Sequence, residues 1–141
     1  SLYTQQSVLP QVYAAGFTRE DVFLETMIPC GAVDHPAPMN ASEAEAYIAA
    51  DLEQLNTSYV DLLAIHHRCN TPEETALVWS VLEAARKRGA ARSIGVSNFE
   101  AADLKHLLTV AKEPIAVNEA HFAVGVMDWE MGALSRVPPL P

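Results

Sequence analysis

Positive charge is scarce in this sequence. Its 141 residues include nine lysines and arginines against eighteen aspartates and glutamates, which gives a formal net charge of −9. Such a surface repels phosphate groups, so nucleic acids and anionic membranes are poor partners for it. No apolar run approaches the roughly 18 residues that a transmembrane helix needs. We therefore expect neither a nucleic-acid-binding protein nor a membrane protein.

Cysteine is nearly absent as well. Cys30 and Cys69 are the two cysteines of the chain, and two are too few for the disulfide framework of a small secreted domain. We expect both to be reduced thiols, and the protein to be cytoplasmic. A metal site built from His66, His67 and Cys69 would match no familiar zinc spacing, so no metal site is expected.

Apolar residues, in contrast, make up 50% of the chain, enough for a real core. Short apolar segments alternate with segments of helical periodicity, in the order α-β-α-β-α-β-α-β, beginning with a helix at residues 3–15. The helices that follow are expected to be capped at Ser42, Thr71 and Asn98. The predicted strands cover residues 22–27, 60–66, 92–97 and 115–119.

This alternation predicts a parallel sheet with helices outside it. In such folds the chemistry lies at the C-terminal ends of the strands. Polar or otherwise notable side chains collect at these ends in the present sequence: Met27, His66, His67, Ser97, Asn98, Glu119 and His121. A surface loop would explain any one of them, whereas a functional face explains them together.

Four segments resemble the aldo-keto reductase family in their order and spacing. They are REDVFLET at residues 19–26, YVDLLAIH at 59–66, RGAARSIGVSNF at 88–99 and PIAVNE at 114–119. The resemblance covers residues 3 to about 122. It implies a (β/α) barrel that reduces carbonyl compounds with NADPH, through a tetrad of Asp, Tyr, Lys and His.

The resemblance assigns roles to individual residues. Tyr3 matches the tyrosine that protonates the carbonyl oxygen, and His66 matches the histidine that orients the carbonyl. Met27 stands where the family has its lysine, and the family's aspartate would precede Ser1. A neighbouring ammonium lowers the pKa of a phenol from its usual value near 10, and methionine has no charge with which to do so. Reduction by this chain alone is therefore not expected.

The cofactor and substrate positions follow from the same resemblance. Ser97 and Asn98 match residues that hold the nicotinamide carboxamide, and Glu119 replaces the family's usual glutamine. Met27 and His121 are expected to line the substrate pocket. The strands that would grip the adenosine phosphate are missing, so we expect no cofactor to be required, although NADP(H) is possible by resemblance.

The matching part amounts to half a barrel of about four strands with outer helices, at residues 1–124, followed by an irregular tail at residues 125–141. Such a half-barrel has two open edges, which invite pairing with another chain. A homodimer would supply eight strands and close the barrel.

Three functions remain open. The first is a repurposed enzyme that acts on a small carbonyl compound by acid/base chemistry without redox turnover (isomerisation, cyclisation, dehydration or aldol type), using Tyr3, His66 and His67. Since adjacent residues of a strand point to opposite faces, only one of the two histidines would face the pocket. The second is a shortened NAD(P)H-dependent aldo-keto reductase, and the third is a non-catalytic binding or regulatory protein.

Overall fold

A computed structural model of the chain describes residues 5–120. Four parallel strands form one sheet in the order β1-β2-β3-β4, so each strand pairs with the one that precedes it in the sequence. This confirms the predicted parallel half-barrel. The strands are β1 (Glu25–Ile28), β2 (Val60–Ile65), β3 (Ala91–Ser97) and β4 (Asn118–Glu119).

The two longest helices, α3 (Ala41–Leu55) and α4 (Pro72–Lys87), pack against one face of this sheet. Thr26 of β1 points toward this side, since its hydroxyl donates a 2.8 Å hydrogen bond to Asp51 of α3. Ile28 shares this face and pairs in register with Ile65, which pairs with Val96, and all three are fully buried. The other helices are α1 (Val8–Ala14), the single turn α2 (Gly31–Asp34) and α5 (Ala101–Val110).

The other face of the sheet corresponds to the inside of a barrel. Glu25 and Met27 alternate with Thr26 and therefore point to it. Met27 pairs in register with Ala64 of β2, which pairs in register with Gly95 of β3, so Gly95 lies on this face as well. A Cβ at Gly95 would fall 2.6 Å from Cγ1 of Val117, so this position needs glycine for β3 to pack against the segment that leads into β4.

Several predicted boundaries were wrong at their edges. β1 begins three residues later than the predicted strand, because residues 19–21 form a 3₁₀ turn and Leu24 N–H donates to the Asp61 side chain. The segment before β4 continues the ladder only through single hydrogen bonds, such as Val96 N–H to Val117 O. No helix within residues 5–120 is both long and apolar enough to cross a lipid bilayer.

One of the three predicted caps is confirmed. Thr71 Oγ1 accepts a 3.1 Å hydrogen bond from Glu74 N–H at the start of α4. The prediction of Ser42 was wrong, because Asn40 caps α3 by accepting from Glu43 N–H. The prediction of Asn98 was wrong too, because α5 begins after Glu100.

Candidate active site

Three side chains meet at the C-terminal edge of β1 and β2. Oδ2 of Asp34, at the end of α2, lies 2.5 Å from Nδ1 of His66 and 3.8 Å from Nε2 of His67. About a quarter of each imidazole is exposed, and only 10% of the Asp34 side chain. An ionised carboxylate can only accept hydrogen bonds, so Nδ1 of His66 is the donor. We call Asp34, His66 and His67 the Asp–His–His cluster.

The structure corrects the expectation that the two histidines diverge. β2 ends at Ile65, so the alternation of a strand no longer governs residues 66 and 67. The imidazole rings lie 4.3 Å apart, with an angle of 65° between their planes. Partial burial lowers the pKa of His67, the Asp34 carboxylate opposes this effect, and His66 adds to it. The neutral form of His67 is therefore favoured.

A disulfide joins the two segments that carry the cluster. Cys30 lies two residues after the end of β1, Cys69 lies two residues after His67, and their sulfurs are bonded. The prediction of two reduced thiols was therefore wrong. Parallel neighbours end side by side, so the residues just beyond them are brought into contact by the topology alone.

Backbone packing brings the same two segments close together. Gly31 has a φ of +75°, and a Cβ there would lie 2.1 Å from the carbonyl oxygen of Arg68. Only glycine fits this position, since both the conformation and the space exclude a side chain. Glu74 adds a second tie, because its carboxylate accepts from the N–H groups of Met39 and Asn70.

Ser97 and Asn98 lie beside the cluster at the end of β3. Asn98 adopts the left-handed conformation, with a φ of +57°. Its Nδ2 donates 3.0 Å hydrogen bonds to the carbonyl oxygen of His66 and to Oγ of Ser97. Asn98 therefore connects the end of β3 to the cluster rather than capping a helix. A cavity of about 290 Å³ adjoins Asn98 and His67.

Glu25 and Glu119 form a carboxyl pair on the inner face. Partial burial, the charge of Glu119 and a hydrogen bond with it raise the pKa of Glu25 to about 7. Because β1 and β4 are the two edges of the sheet, this contact requires strong curvature. The predicted pocket residue Met27 lies on the same face as Glu25, two residues along β1 and half-buried.

Sequence reasoning found some of these residues and missed others. His66, His67, Ser97, Asn98, Glu119 and Met27 all lie within the described sheet or at its C-terminal edge. Asp34 was missed, and nothing in its proline-rich surroundings distinguishes it. Glu25 could have been noticed as a charged residue inside an apolar strand. Tyr3, His121 and the tail at residues 125–141 lie outside the described residues.

Comparison with known proteins agrees with this arrangement. The family model described as "Aldo/keto reductase family" matches residues 2–129. The chain belongs to the aldo/keto reductase family. The match also corrects the expected limit near residue 122, since it continues to residue 129.

Curated relatives support the same assignment. An uncharacterized oxidoreductase, YtbE, of Bacillus subtilis is 32% identical over 108 residues, which cover 77% of this chain and 36% of the relative. The NADPH-dependent alpha-keto amide reductase of Saccharomyces cerevisiae is 37% identical over 76 residues, covering 51% of this chain and 24% of the relative. The chain thus spans about a third or less of the length of these relatives.

Solved structures give the same fold. An aldo/keto reductase from Brucella melitensis superposes with a TM-score of 0.73 at 25% identity, covering 84% of this chain and 44% of that one. An aldo-keto reductase complexed with NADPH superposes with a TM-score of 0.70 at 27% identity, covering 84% of this chain and 37% of that one.

The described residues match an NADP(H) site only in part. A nicotinamide carboxamide needs a donor for its carbonyl and an acceptor for its amide. Nδ2 of Asn98 is already engaged twice, and an ionised Glu119 can only accept. Glu119 would also bring negative charge toward an anionic dinucleotide, which is unfavourable. Residues 5–120 alone therefore do not make a complete NADP(H) site.

Proposed function

We propose that this chain forms the carbonyl-binding part of an enzyme that performs acid/base chemistry on a small carbonyl compound, without net oxidation or reduction. The observation that carries the proposal is the hydrogen bond between Asp34 and His66 at the C-terminal edge of the sheet. Family membership supports the carbonyl substrate, because the NADPH-dependent relative described above acts on alpha-keto amides.

Asp34 gives His66 a defined tautomer. With Nδ1 donating to the carboxylate, the lone pair of neutral His66 is on Nε2. Nε2 can take a proton from the carbon next to a carbonyl, and the electron pair of the broken C–H bond moves toward the carbonyl oxygen to form an enolate. Asp34 stabilises the resulting imidazolium. Returning the proton to a different atom completes an isomerisation.

The remaining residues have supporting roles in this proposal. Tyr3 would exchange a proton with the carbonyl oxygen, as its position in the family implies. Burial lowers the pKa of His67 and so favours its neutral form, which can donate a hydrogen bond without adding charge. Met27 offers an apolar wall on the inner face. Cyclisation, dehydration and aldol-type reactions pass through the same enolate and remain within the proposal.

A second copy of the chain would complete the barrel. Within residues 5–120, β1 and β4 each pair on one side only, and Phe23, two residues before β1, is 72% exposed. An open parallel edge beside an exposed aromatic side chain favours association. We include a homodimer in the proposal for this reason.

Hydrogen–deuterium exchange tests the chemistry without knowledge of the natural substrate. A panel of small aldehydes, ketones and keto acids in D₂O, followed by proton NMR, reports loss of the hydrogens next to the carbonyl. We expect the wild-type chain to accelerate exchange for at least one compound. His66→Gln should lower that rate by roughly 10²–10⁴-fold, whereas His106→Gln, an exposed histidine of α5, should not change it.

The second candidate is a shortened NAD(P)H-dependent reductase. The contact of Asn98 with Ser97 and His66 favours it, since these are family positions held together at one edge. Carbonyl-dependent oxidation of NADPH, without exchange in its absence, would support this candidate over the first. Absence of both activities, with carbonyl compounds still bound, would indicate a non-catalytic binding or regulatory protein.

A further inference from the structure

The Asp–His–His cluster brings three metal-ligating side chains together. One ligand atom from each of Asp34, His66 and His67 lies within 4.8 Å of the other two. Asp34 ends the single turn α2 and the two histidines follow β2. Their side chains are mostly buried but remain accessible to solvent. The spacing of His66, His67 and Cys69 predicted no metal site, but here the third ligand is Asp34, and the bend after β2 lets both histidines approach it.

This donor set suits a transition metal. Two imidazoles and one carboxylate are the ligands of open Zn²⁺ sites, in which a fourth position remains available. Tetrahedral ligands at zinc–ligand lengths of about 2.0–2.1 Å are about 3.3 Å apart. The Asp34–His66 distance of 2.5 Å would have to lengthen, and the Asp34–His67 distance of 3.8 Å would have to shorten. Each change is well under the length of a bond.

The surroundings hold these ligands in place. The Cys30–Cys69 disulfide fixes the two loops to each other, and Gly31 packs directly on the backbone of Arg68. Asn98 binds the carbonyl oxygen of His66. Because both cysteines are bonded to each other, no thiolate competes for the ion. Loops tied in this way lose little conformational freedom when a ligand binds.

We propose that Asp34, His66 and His67 bind one Zn²⁺ ion, which replaces the proton that Asp34 and His66 share. Neutral His66 bound through Nδ1 carries its proton on Nε2 and has no lone pair there. Zinc binding and the use of His66 as a base therefore exclude each other. The binding site stands by itself, whereas the resulting inhibition of exchange rests on the proposed function.

Isothermal titration of the EDTA-treated, dialysed chain with Zn²⁺, under non-reducing conditions, tests the site. We expect one ion per chain. Asp34→Asn and His67→Gln should each weaken binding by more than the 10–100-fold that is typical of losing an outer partner of a metal ligand. His106→Gln, at an exposed position of α5, should bind as the wild type does. Equal loss in this control, or unchanged affinity in the cluster variants, would overturn the site.

Cobalt provides a second readout that does not depend on the heat of binding. Co²⁺ at a four-coordinate site with two imidazoles absorbs strongly in the visible range, and this absorbance should appear in the wild type and vanish in His67→Gln. Circular dichroism of each variant shows whether it is folded. A folded wild type with no cobalt absorbance and no zinc binding would contradict the proposal.

The two proposals can fail separately. Exchange catalysed by the metal-free chain, with no zinc binding, would reject the metal site and keep the proposed function. Zinc binding to the cluster, with no exchange in the metal-free chain, would reject the proposed function and keep the site. If both hold, zinc in equal amount to the chain should abolish exchange, and EDTA should restore it.

Discussion

Nη2 of Arg19 donates a 2.8 Å hydrogen bond to Oδ2 of Asp61, and both side chains are more than nine-tenths buried. The same oxygen accepts from Leu24 N–H just before β1. Arg92 of β3 donates to the other oxygen of Asp61. One carboxylate of β2 thus links the N-terminal ends of three neighbouring strands. The Asp–His–His cluster lies at the opposite, C-terminal ends of the strands.

Asp61→Asn should destabilise the chain by about 3–5 kcal/mol, because it leaves the buried Arg19 charge without a counter-charge. Urea denaturation followed by circular dichroism measures this. Arg92→Gln is the matched control, since Arg92 is mostly exposed, and it should cost less than about 1 kcal/mol. Equal losses in both variants would show that burial does not decide the effect.

The Asp61 site should also make stability depend on pH at the acidic end. Burial raises the pKa of Asp61, but hydrogen bonds from Leu24 and Arg19 and the charges of Arg19 and Arg92 outweigh it, so the pKa is lowered overall. The Asp61 carboxylate therefore binds a proton less readily in the folded state than in the unfolded state. Its stabilising effect is therefore present above the unfolded pKa and is lost as pH falls through the folded pKa.

Glu25 should have the opposite dependence. Its pKa is raised to about 7 in the folded chain. Its contribution to the free energy of unfolding is therefore fully present below the unfolded pKa of about 4.3 and is lost as pH rises through 7. Glu25→Gln should be more stable than the wild type at pH 8 by about 1 kcal/mol, a figure reduced for solvent screening because Glu25 is only partly buried. At pH 4 the two should be equal.

Thermal melts at pH 4 and pH 8 measure the Glu25 effect. The exposed Glu53 of α3 supplies a control, and Glu53→Gln should melt as the wild type does at both values. A destabilised Glu25→Gln at pH 8 would mean that the ionised carboxylate has a stabilising partner.

Part of the site could be predicted from sequence because it depends on strand ends. His66 directly follows the apolar strand β2 and Ser97 ends β3, and parallel strands bring their ends together whatever the loops do. Asp34 could not be found in this way, because its approach to His66 across 32 positions depends on the course of a loop. The amino acids around Asp34 do not encode that course in any periodic form.

The cysteines were mispredicted for a different reason. Their small number predicted reduced thiols, but that rule describes what is typical of proteins in a cellular compartment and does not describe how one chain packs. The structure places Cys30 and Cys69 in contact because each follows the end of one of two paired strands. The predicted cap at Ser42 was wrong for a local reason: Asn40 lies two residues before Ser42, and either residue can cap a helix by the same chemistry.

Removing the disulfide should destabilise the chain. Cys30→Ser/Cys69→Ser opens a loop with a sequence separation of 39 residues, for which loop-closure entropy predicts a loss of about 4 kcal/mol. Urea denaturation of this variant should coincide with that of the wild type under a dithiol reductant. A wild type whose stability is unchanged by the reductant, with its thiols shown to be reduced, would contradict this expectation.

NADPH should bind the chain weakly. Glu119→Gln should tighten binding roughly fivefold, since two unit charges 4 Å apart repel by about 1 kcal/mol in water. Titration calorimetry of both proteins measures the difference, and Glu53→Gln controls for the change in net charge. A wild-type dissociation constant in the low micromolar range would refute the expectation.

The chain should sediment as a dimer at micromolar concentration, with an interface above the roughly 2,000 Å² of obligate contacts. Phe23→Asp, beside the edge of β1, should shift it toward the monomer. Leu77→Asp, on the partly exposed side of α4, should not. A stable, folded wild-type monomer would contradict a barrel completed by two copies.

The Cys30–Cys69 bond has a further effect that concerns the denatured chain. It closes a covalent loop of the chain that contains α2, α3 and β2. Asp34, His66 and His67 all belong to this loop, and each lies within four residues of one of the two bonded cysteines. Even when the sheet has melted, these three side chains stay within a few residues of a common junction. If the cluster binds zinc as proposed, we expect an oxidised denatured chain to keep some affinity for the ion. The rise in melting temperature on adding zinc should then be smaller than the affinity of the folded chain alone would give.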